Sequence, residues 1–509
     1  SSSSNNIIWT NDQTLTGSTI MTAKLPNQTI QVTDGTLVQG DQLVWLKTTQ
    51  YIQTGSGTGQ ILGNPLVVGA PGQAGFILNS GGNVLLPTNL TFVGQDLTIL
   101  ASGSIISAGL STINLTGGFG GNLTMVAGFN FTPSTLGQIG PVMGTYTIGT
   151  PSTGGSINLP AVSINLSGTA LPPNTAGGNL IAVAHGGSIT LGSINTSSSA
   201  VGGSVSIIGQ NGVTVGSINT VGSTASGQIA ISAADPTTNG TVVLTDGSLI
   251  SGSLEAIPGT FNNNIVLSGN INAGEALVSI NTGGTGSISA PPGTSITAGE
   301  LEMKAGTGGI GTPGAAIVTN APFLSANSIG DVFLSSTAKL VGLLTSSGDF
   351  FQLTTTSPLS ELGVIGLLSA NDIVLQSTNN GSIFFNSQLR ALNGGPSNSV
   401  VINANGSGQI LDFLSGAPTI STNSLKLVSG TGTIGRPISG QFLTTNASTL
   451  SVSTQNTTAF RGVYVRNHNT GPVTITGLTS GSTNSTIDYL GFASALTVSG
   501  QVSGNIVKL

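Results

Sequence analysis

Glu300, Glu302 and Lys304 alternate along one short segment, Glu300-Leu301-Glu302-Met303-Lys304. On an extended strand this spacing puts two carboxylates and an ammonium on one face, the raw material for general acid–base attack on a glycosidic bond. The simpler reading of the same pattern is a charged strand edge facing solvent. Asp235 and Asp246 have no basic residue nearby, and Asp235-Pro236 has the form of a turn start. His185 follows an apolar strand at a Gly-Gly corner, and His468 stands in Arg466-Asn467-His468-Asn469. Neither has an acid within a few residues, so both read as exposed turn histidines rather than catalytic bases.

The remaining chemistry is excluded residue by residue. The chain has no cysteine, hence no disulfide framework, thiolate metal site or cysteine nucleophile. Gly117-Gly118-Phe119-Gly120-Gly121-Asn122 resembles a calcium nonapeptide but lacks its aspartate, and no Asp-x-Asp pair occurs. Gly306-Thr307-Gly308-Gly309 is not followed by Lys-Ser/Thr and is no phosphate loop. The expectation is a chain with no catalytic residue, no metal and no cofactor.

Charged residues are 5% of the 509, against roughly 25% in an ordinary soluble domain. The ten basic residues are scattered and the net charge is −6, which leaves no cationic face for nucleic acid or for an anionic membrane. No run of about 20 apolar residues is present to span a membrane as a helix. Hydrophobic residues are 38% and mean hydropathy is +0.32, too apolar for charge-driven disorder. The start, Ser1-Ser2-Ser3-Ser4, reads either as an arbitrary boundary or as a mature terminus left by signal-peptide removal; the second is preferred, and with it an extracellular or cell-surface location is expected.

The elements that must carry these residues are strands. Short period-2 segments bounded by Gly, Asn or Ser recur throughout: Leu97–Leu100, Leu123–Val126, Val205–Ile208, Val242–Leu244 and Leu425–Val428. Gly154–Leu159, Gly177–Val183 and Gly202–Ile208 repeat one pattern, and Gly192–Thr196 recurs as Gly216–Thr220. Ser295–Pro313 aligns without gaps to Thr419–Pro437. A period of about 22–25 residues with three strands is one coil of a parallel β-helix, an all-β β-solenoid. Val, Ile and Leu then stack inside, Ser, Thr and Asn face out, and Gly makes the corners. With every residue in the array, about twenty coils would stack. Asn195 and Asn219, in repeated Ser-Ile-Asn triplets, are expected to form an amide ladder between coils.

The expected organisation is an atypical N-terminal cap or assembly region over 1–90, carrying Trp9 and Trp45, regular solenoid repeats over 91–320, and a less regular second solenoid or lateral β domain over 321–509. Residues 127–153 break the period and read as an excursion. Phe129, Phe131 and Tyr146 within it are the expected lateral assembly contacts.

The repeats resemble those of bacterial filamentous-haemagglutinin-like and β-strand-repeat surface adhesins and extracellular matrix proteins. The resemblance rests on Gly-Gly-x-[Leu/Val/Ile]-x-[Leu/Ile/Met] strands at 120–125, 154–159, 186–191 and 202–207. Gly-x-Ile-Gly-x-Pro turns ending at Pro313 and Pro437, and the strand at 470–475, add to it. It implies an extracellular adhesin, matrix or surface-layer role. The function expected is a secreted structural protein, a subunit of a fibre, sheath or layer whose principal partner is itself. A monomeric adhesin binding glycans or a host or environmental surface is the first alternative, and a polysaccharide lyase or hydrolase the second.

Overall fold

A computed structural model of the chain describes residues 94–509 except 108–109, 134–145, 170–174, 246–247, 258, 392–397, 415–418, 438–441, 456–461 and 482–484. Before 94 it describes Asn83 and short strands between Ile7–Ile8 and Asn89–Thr91. The side chains at 132–133, 146 and 239–252 lie outside the described set, as do Trp9, Trp45 and Asp246. The chain is a parallel β-solenoid of about 15 turns, with no helix among the described residues. It divides into two units, residues 1–286 and 287–509. The first strands include antiparallel pairs, Thr29–Gln31 with Leu37–Gln39 and Leu37–Gln39 with Gly59–Leu62.

In unit 1 each coil has three strands. One coil reads Leu180–Ala184, Gly186–Leu191, Ile194–Asn195, and the next Val205–Gly209, Val213–Val215, Ile218–Asn219. Every strand pairs in parallel with its equivalent. Because strand side chains alternate in direction, in-register stacking builds apolar columns. Ile99, Met125, Ala182, Ile207 and Ile231 form one, and Ile113, Ile164, Ile194, Ile218 and Ile271 another. All are at most 2% exposed.

Polar side chains stack at the corners between these columns. Asn195 Nδ2 donates to Asn165 Oδ1 at 3.2 Å and Asn219 Nδ2 to Asn195 Oδ1 at 3.5 Å, the expected ladder extended by one rung. Asn165 and Asn195 also accept the backbone N–H two residues on, Ser167 and Ser197, so each rung closes its own turn. A second ladder precedes the first strand of the coil. Asp96 Oδ1 accepts Asn122 N (2.7 Å), Asn122 Oδ1 accepts Asn179 N (2.8 Å), and Asn179 Oδ1 accepts Ser204 N (2.8 Å). Each side chain thus satisfies a backbone donor of the next coil where the strand ladder has not yet begun.

Two excursions leave the coils at the same corner. Phe129–Pro133 and Tyr146–Pro151 form one hairpin, and Pro236–Thr245 with Ser248–Ala256 the other. They join through Tyr146↔Leu244, Thr147↔Val243 and Ile148↔Val242 into a four-stranded antiparallel sheet. The first excursion is the one expected over 127–153. The second corrects the reading of Val242–Leu244 as a coil strand. Together they remove residues from the coil, and the turns number about 15 rather than about twenty.

This side sheet covers the outward positions Leu100, Val126, Val183 and Ile208, which pack with Phe129, Phe131 and Ile148. Phe129 is 1% and Phe131 5% exposed. The expectation of a lateral assembly contact at these two residues is therefore corrected: they seal the side sheet onto the coils. Tyr146 belongs to the same sheet, with its side chain outside the described set.

Unit 2 takes in residues 321–509, and its paired strands are likewise parallel, with longer, bent segments such as Ser346–Thr355, Leu368–Ser377 and Ile420–Ser429. One column runs Val332, Phe351, Ile373, Val400, Leu425, Leu450, Ile475. Its next member, Val498, is 47% exposed where Ile475 is fully buried.

Candidate functional site: an apolar flank and a junction pocket

The residues singled out for chemistry do not converge. Glu300, Glu302 and Lys304 lie on the outward face of Glu300–Ala305, whose alternate residues Leu301, Met303 and Ala305 are buried. Their partners on the following coil are Phe323, Ser325 and Asn327, so neither carboxylate meets a second acid from that side. His468 stacks on Phe492, centroids 5.2 Å apart and rings inclined by 29°. The best-connected hydroxyl cluster, Thr355, Ser360 and Ser377, closes on itself at 2.8, 2.9 and 3.1 Å. It is buried and contains no base to activate a nucleophile. Burial raises the phenols of Tyr464 and Tyr489 above their usual value, with hydrogen bonds to Thr486 and Asn467 respectively opposing the rise. Both remain protonated at neutral pH.

Unit 2 carries a groove instead. Leu340–Leu343, Glu361–Val364, Ser382–Phe385 and Ile410–Asp412 stack in parallel. Their inward residues Val341, Leu362, Ile383 and Ile410 are fully buried. The outward column runs Phe323, Gly342, Gly363, Phe384. Two stacked glycines therefore leave a trough between two aromatic rungs. An added Cβ on Gly342 would meet Ile365 Cδ1 at 2.9 Å and Phe323 Cδ1 at 3.2 Å, so any larger residue fills it. Beside the trough Phe384 and Phe413 form a ridge, centroids 5.8 Å apart.

The trough measures about 390 Å³ and is lined chiefly by apolar atoms, with Glu361 its one charged residue. Phe323, Leu340, Ile365 and Phe413 on its walls are 46%, 55%, 37% and 50% exposed. Large hydrophobic side chains this open, grouped together, are the surface signature of an interaction site. Of the exposed large hydrophobics among the described residues, only Phe119 and Val201 lie in unit 1.

Unit 1 has a different feature, at the corner where its excursions leave. The coil below exits at Gly128 into the first hairpin, and a later coil exits at Asp235 into the second. Two coils lie between them, one turning directly at His185 and the next at Gln210, with Ala184 in register with Ala127 and Gly209. The hairpins lean together over that corner and enclose about 430 Å³ lined by Phe129, Thr150, Pro151, His185, Asp235, Thr237 and Ile257 among others. The His185 ring stands edge-on to Phe129 at 5.5 Å. Its Nδ1 is buried without a hydrogen-bond partner, which corrects the reading of an exposed turn histidine. Asp235 is bound through its backbone, N–H to Thr260 Oγ1 at 3.1 Å and carbonyl to Ile257 N at 2.8 Å.

Among the described residues no group of three or more His, Cys, Asp and Glu is placed to hold a metal, and no helix is long and apolar enough to cross a membrane. No protein-family model, no curated protein and no solved structure matches the chain.

Proposed function

We propose that this chain is a non-catalytic structural protein of the cell exterior that associates with copies of itself through the apolar flank of unit 2. The observation that carries the reading is the trough and ridge of residues 323–413. The ridge of Phe384 and Phe413 lies beside a trough floored by Gly342 and Gly363. A second copy related by a two-fold rotation can seat its ridge in this trough while offering its own trough in return, the self-complementarity that an isologous contact requires. With charged residues at 5% of the chain, two such faces approach with little repulsion. The Ser-, Thr- and Asn-rich exterior and the absence of cysteine suit a secreted chain, as does the resemblance of its repeats to surface adhesins.

Sedimentation velocity of the intact chain over a concentration series tests the proposal. Association that rises with concentration is expected. Leu340→Asp with Phe413→Asp, both at exposed positions, should weaken it by at least about tenfold, the loss of one well-packed aromatic anchor. A wild type that stays monomeric throughout, or a double variant that associates as tightly as wild type, overturns it.

A further inference from the structure

We infer that two copies of the chain meet antiparallel along the flank of unit 2, with Glu302 of each copy set against the partner's Arg466. The inference rests on the self-association read from the trough and ridge, and adds its direction and its charged contacts. Both residues point away from the core: Glu302 lies between buried Leu301 and Met303, and Arg466 between buried Val465 and Asn467. They also share one column of the stack. Register runs from Glu302 through Ser325, Leu367 and Thr444 to Arg466. Glu302 is exposed and Arg466 half-buried, its guanidinium over the Phe442 ring at 5.6 Å. Among the described residues the one ion pair is Lys508 with Asp488, so neither Glu302 nor Arg466 meets an opposite charge of its own chain.

The position of the ridge selects the direction of the contact. With the two-fold axis along the stack, every coil faces its own copy, so ridge meets ridge and Glu302 meets Glu302. With the axis lying across the stack, between the coils of Gly363 and Phe384, the coils face one another in reverse order. The ridge of Phe384 and Phe413 then enters the trough floored by Gly363 and Gly342. Glu302 stands three coils before Gly363, and Arg466 three coils after Phe384. The axis that seats the ridge therefore also brings Glu302 opposite Arg466, twice in each dimer. The charge of the whole unit is arranged in the same sense. Seven of the eight acidic residues of unit 2 lie in 300–412, and five of its eight basic residues in 426–508. Reversed against itself, the acidic run meets the basic run, whereas parallel alignment sets like against like.

Charge reversal and cross-linking on the intact chain test the inference. In sedimentation velocity, Glu302→Lys should weaken association by about tenfold, as two ion pairs become two like-charge contacts. Adding Arg466→Glu to the same chain should recover most of that loss. Asp349→Lys, an exposed acid outside this column, makes the same change in net charge and should leave association unaltered. The chain has no cysteine, so single thiols report the direction independently. A short bismaleimide linker should join Glu302→Cys to Arg466→Cys in a mixture of the two variants. It should join Glu302→Cys to itself far less, because those positions lie about 34 Å apart along the contact, seven coil spacings. A wild type that associates, with Glu302→Lys no weaker than Asp349→Lys or with mixed cross-links no more abundant than those of Glu302→Cys alone, overturns the antiparallel contact and leaves self-association standing. A monomeric wild type overturns both.

Discussion

Replacing Gly203 by alanine is expected to lower the stability of the coil stack by about 3 kcal/mol, the upper end of the usual cost of overpacking. Gly121, Gly178, Gly203 and Gly227 occupy one corner in successive coils. An added Cβ at Gly178 would meet Gly121 O at 1.9 Å, at Gly203 it would meet Gly178 O at 2.0 Å, and at Gly227 it would meet Gly203 O at 2.0 Å. The obstacle is backbone, so no rotamer change relieves it. The coils must part or the corner must shift, and the corner is clasped. Thr196 and Thr220 are fully buried, and their hydroxyls donate to Gly203 O and Gly227 O, both at 2.6 Å. A urea unfolding series reads the effect as a lowered midpoint. Ser204→Ala, which removes only a side-chain acceptor for Gln228 N, should cost about 1 kcal/mol or less.

Loss of the Asp412 carboxylate is expected to destabilise unit 2 by a comparable amount, about 3 kcal/mol, the penalty for stripping a charged acceptor from several buried donors. Asp412 is 1% exposed. Its Oδ2 accepts Thr419 Oγ1 (2.6 Å), Thr444 N (3.0 Å) and Thr444 Oγ1 (2.7 Å), and its Oδ1 accepts Leu414 N (2.8 Å). One carboxylate thus ties a coil end to the two strands that follow, Ile420–Ser429 and Leu443–Thr454. Asp412→Ala removes all four acceptor contacts. Asp412→Asn keeps the shape and one carbonyl oxygen, and should lose roughly half as much. Equal midpoints for Asp412→Ala and wild type would show that the network contributes nothing.

How far the sequence discloses this arrangement depends on whether a feature repeats. The aliphatic columns and the Asn195–Asn219 ladder recur every coil, and a period is legible in a single chain. The ladder of Asp96, Asn122, Asn179 and Ser204 was equally periodic. Asn122, Asn179 and Ser204 stand in the variable position of the Gly-Gly-x pattern and Asp96 in Gly94-Gln95-Asp96, and the ladder is hard to see in the sequence because Asp, Asn and Ser do not look alike, although all three accept a backbone N–H. The second excursion was hidden for the opposite reason: Val242-Val243-Leu244 has the composition of a coil strand. A signal did exist. Leu100, Val126, Val183 and Ile208 are apolar at positions that should face solvent, which announces a covering element. Phe129 and Phe131 read as lateral assembly contacts because they lie in a segment that interrupts the repeat, yet a segment that leaves the coil must bury something of its own to stay folded. The groove follows from Gly342 and Gly363 falling in one column, which needs the register rather than the composition. His185 and Asp235 meet in one pocket only because two hairpins pair across intervening coils, a non-local fact that no spacing encodes.

All of these assignments require neighbouring coils to be parallel and in register, and a chain without cysteine permits a direct test. Ser206 and Ala230 are register partners on the outward face of adjacent coils, where strands lie about 4.8 Å apart, within the Cα separation a disulfide spans. Ser232 is partner to Ile208, two residues further along, and the diagonal from Ser206 is about 7 Å or more, beyond easy bridging. Mild oxidation followed by peptide mass mapping should show rapid intramolecular cross-linking of Ser206→Cys with Ala230→Cys, and little of Ser206→Cys with Ser232→Cys. Cross-linking of the second pair in preference to the first, or of neither, would contradict the in-register stack.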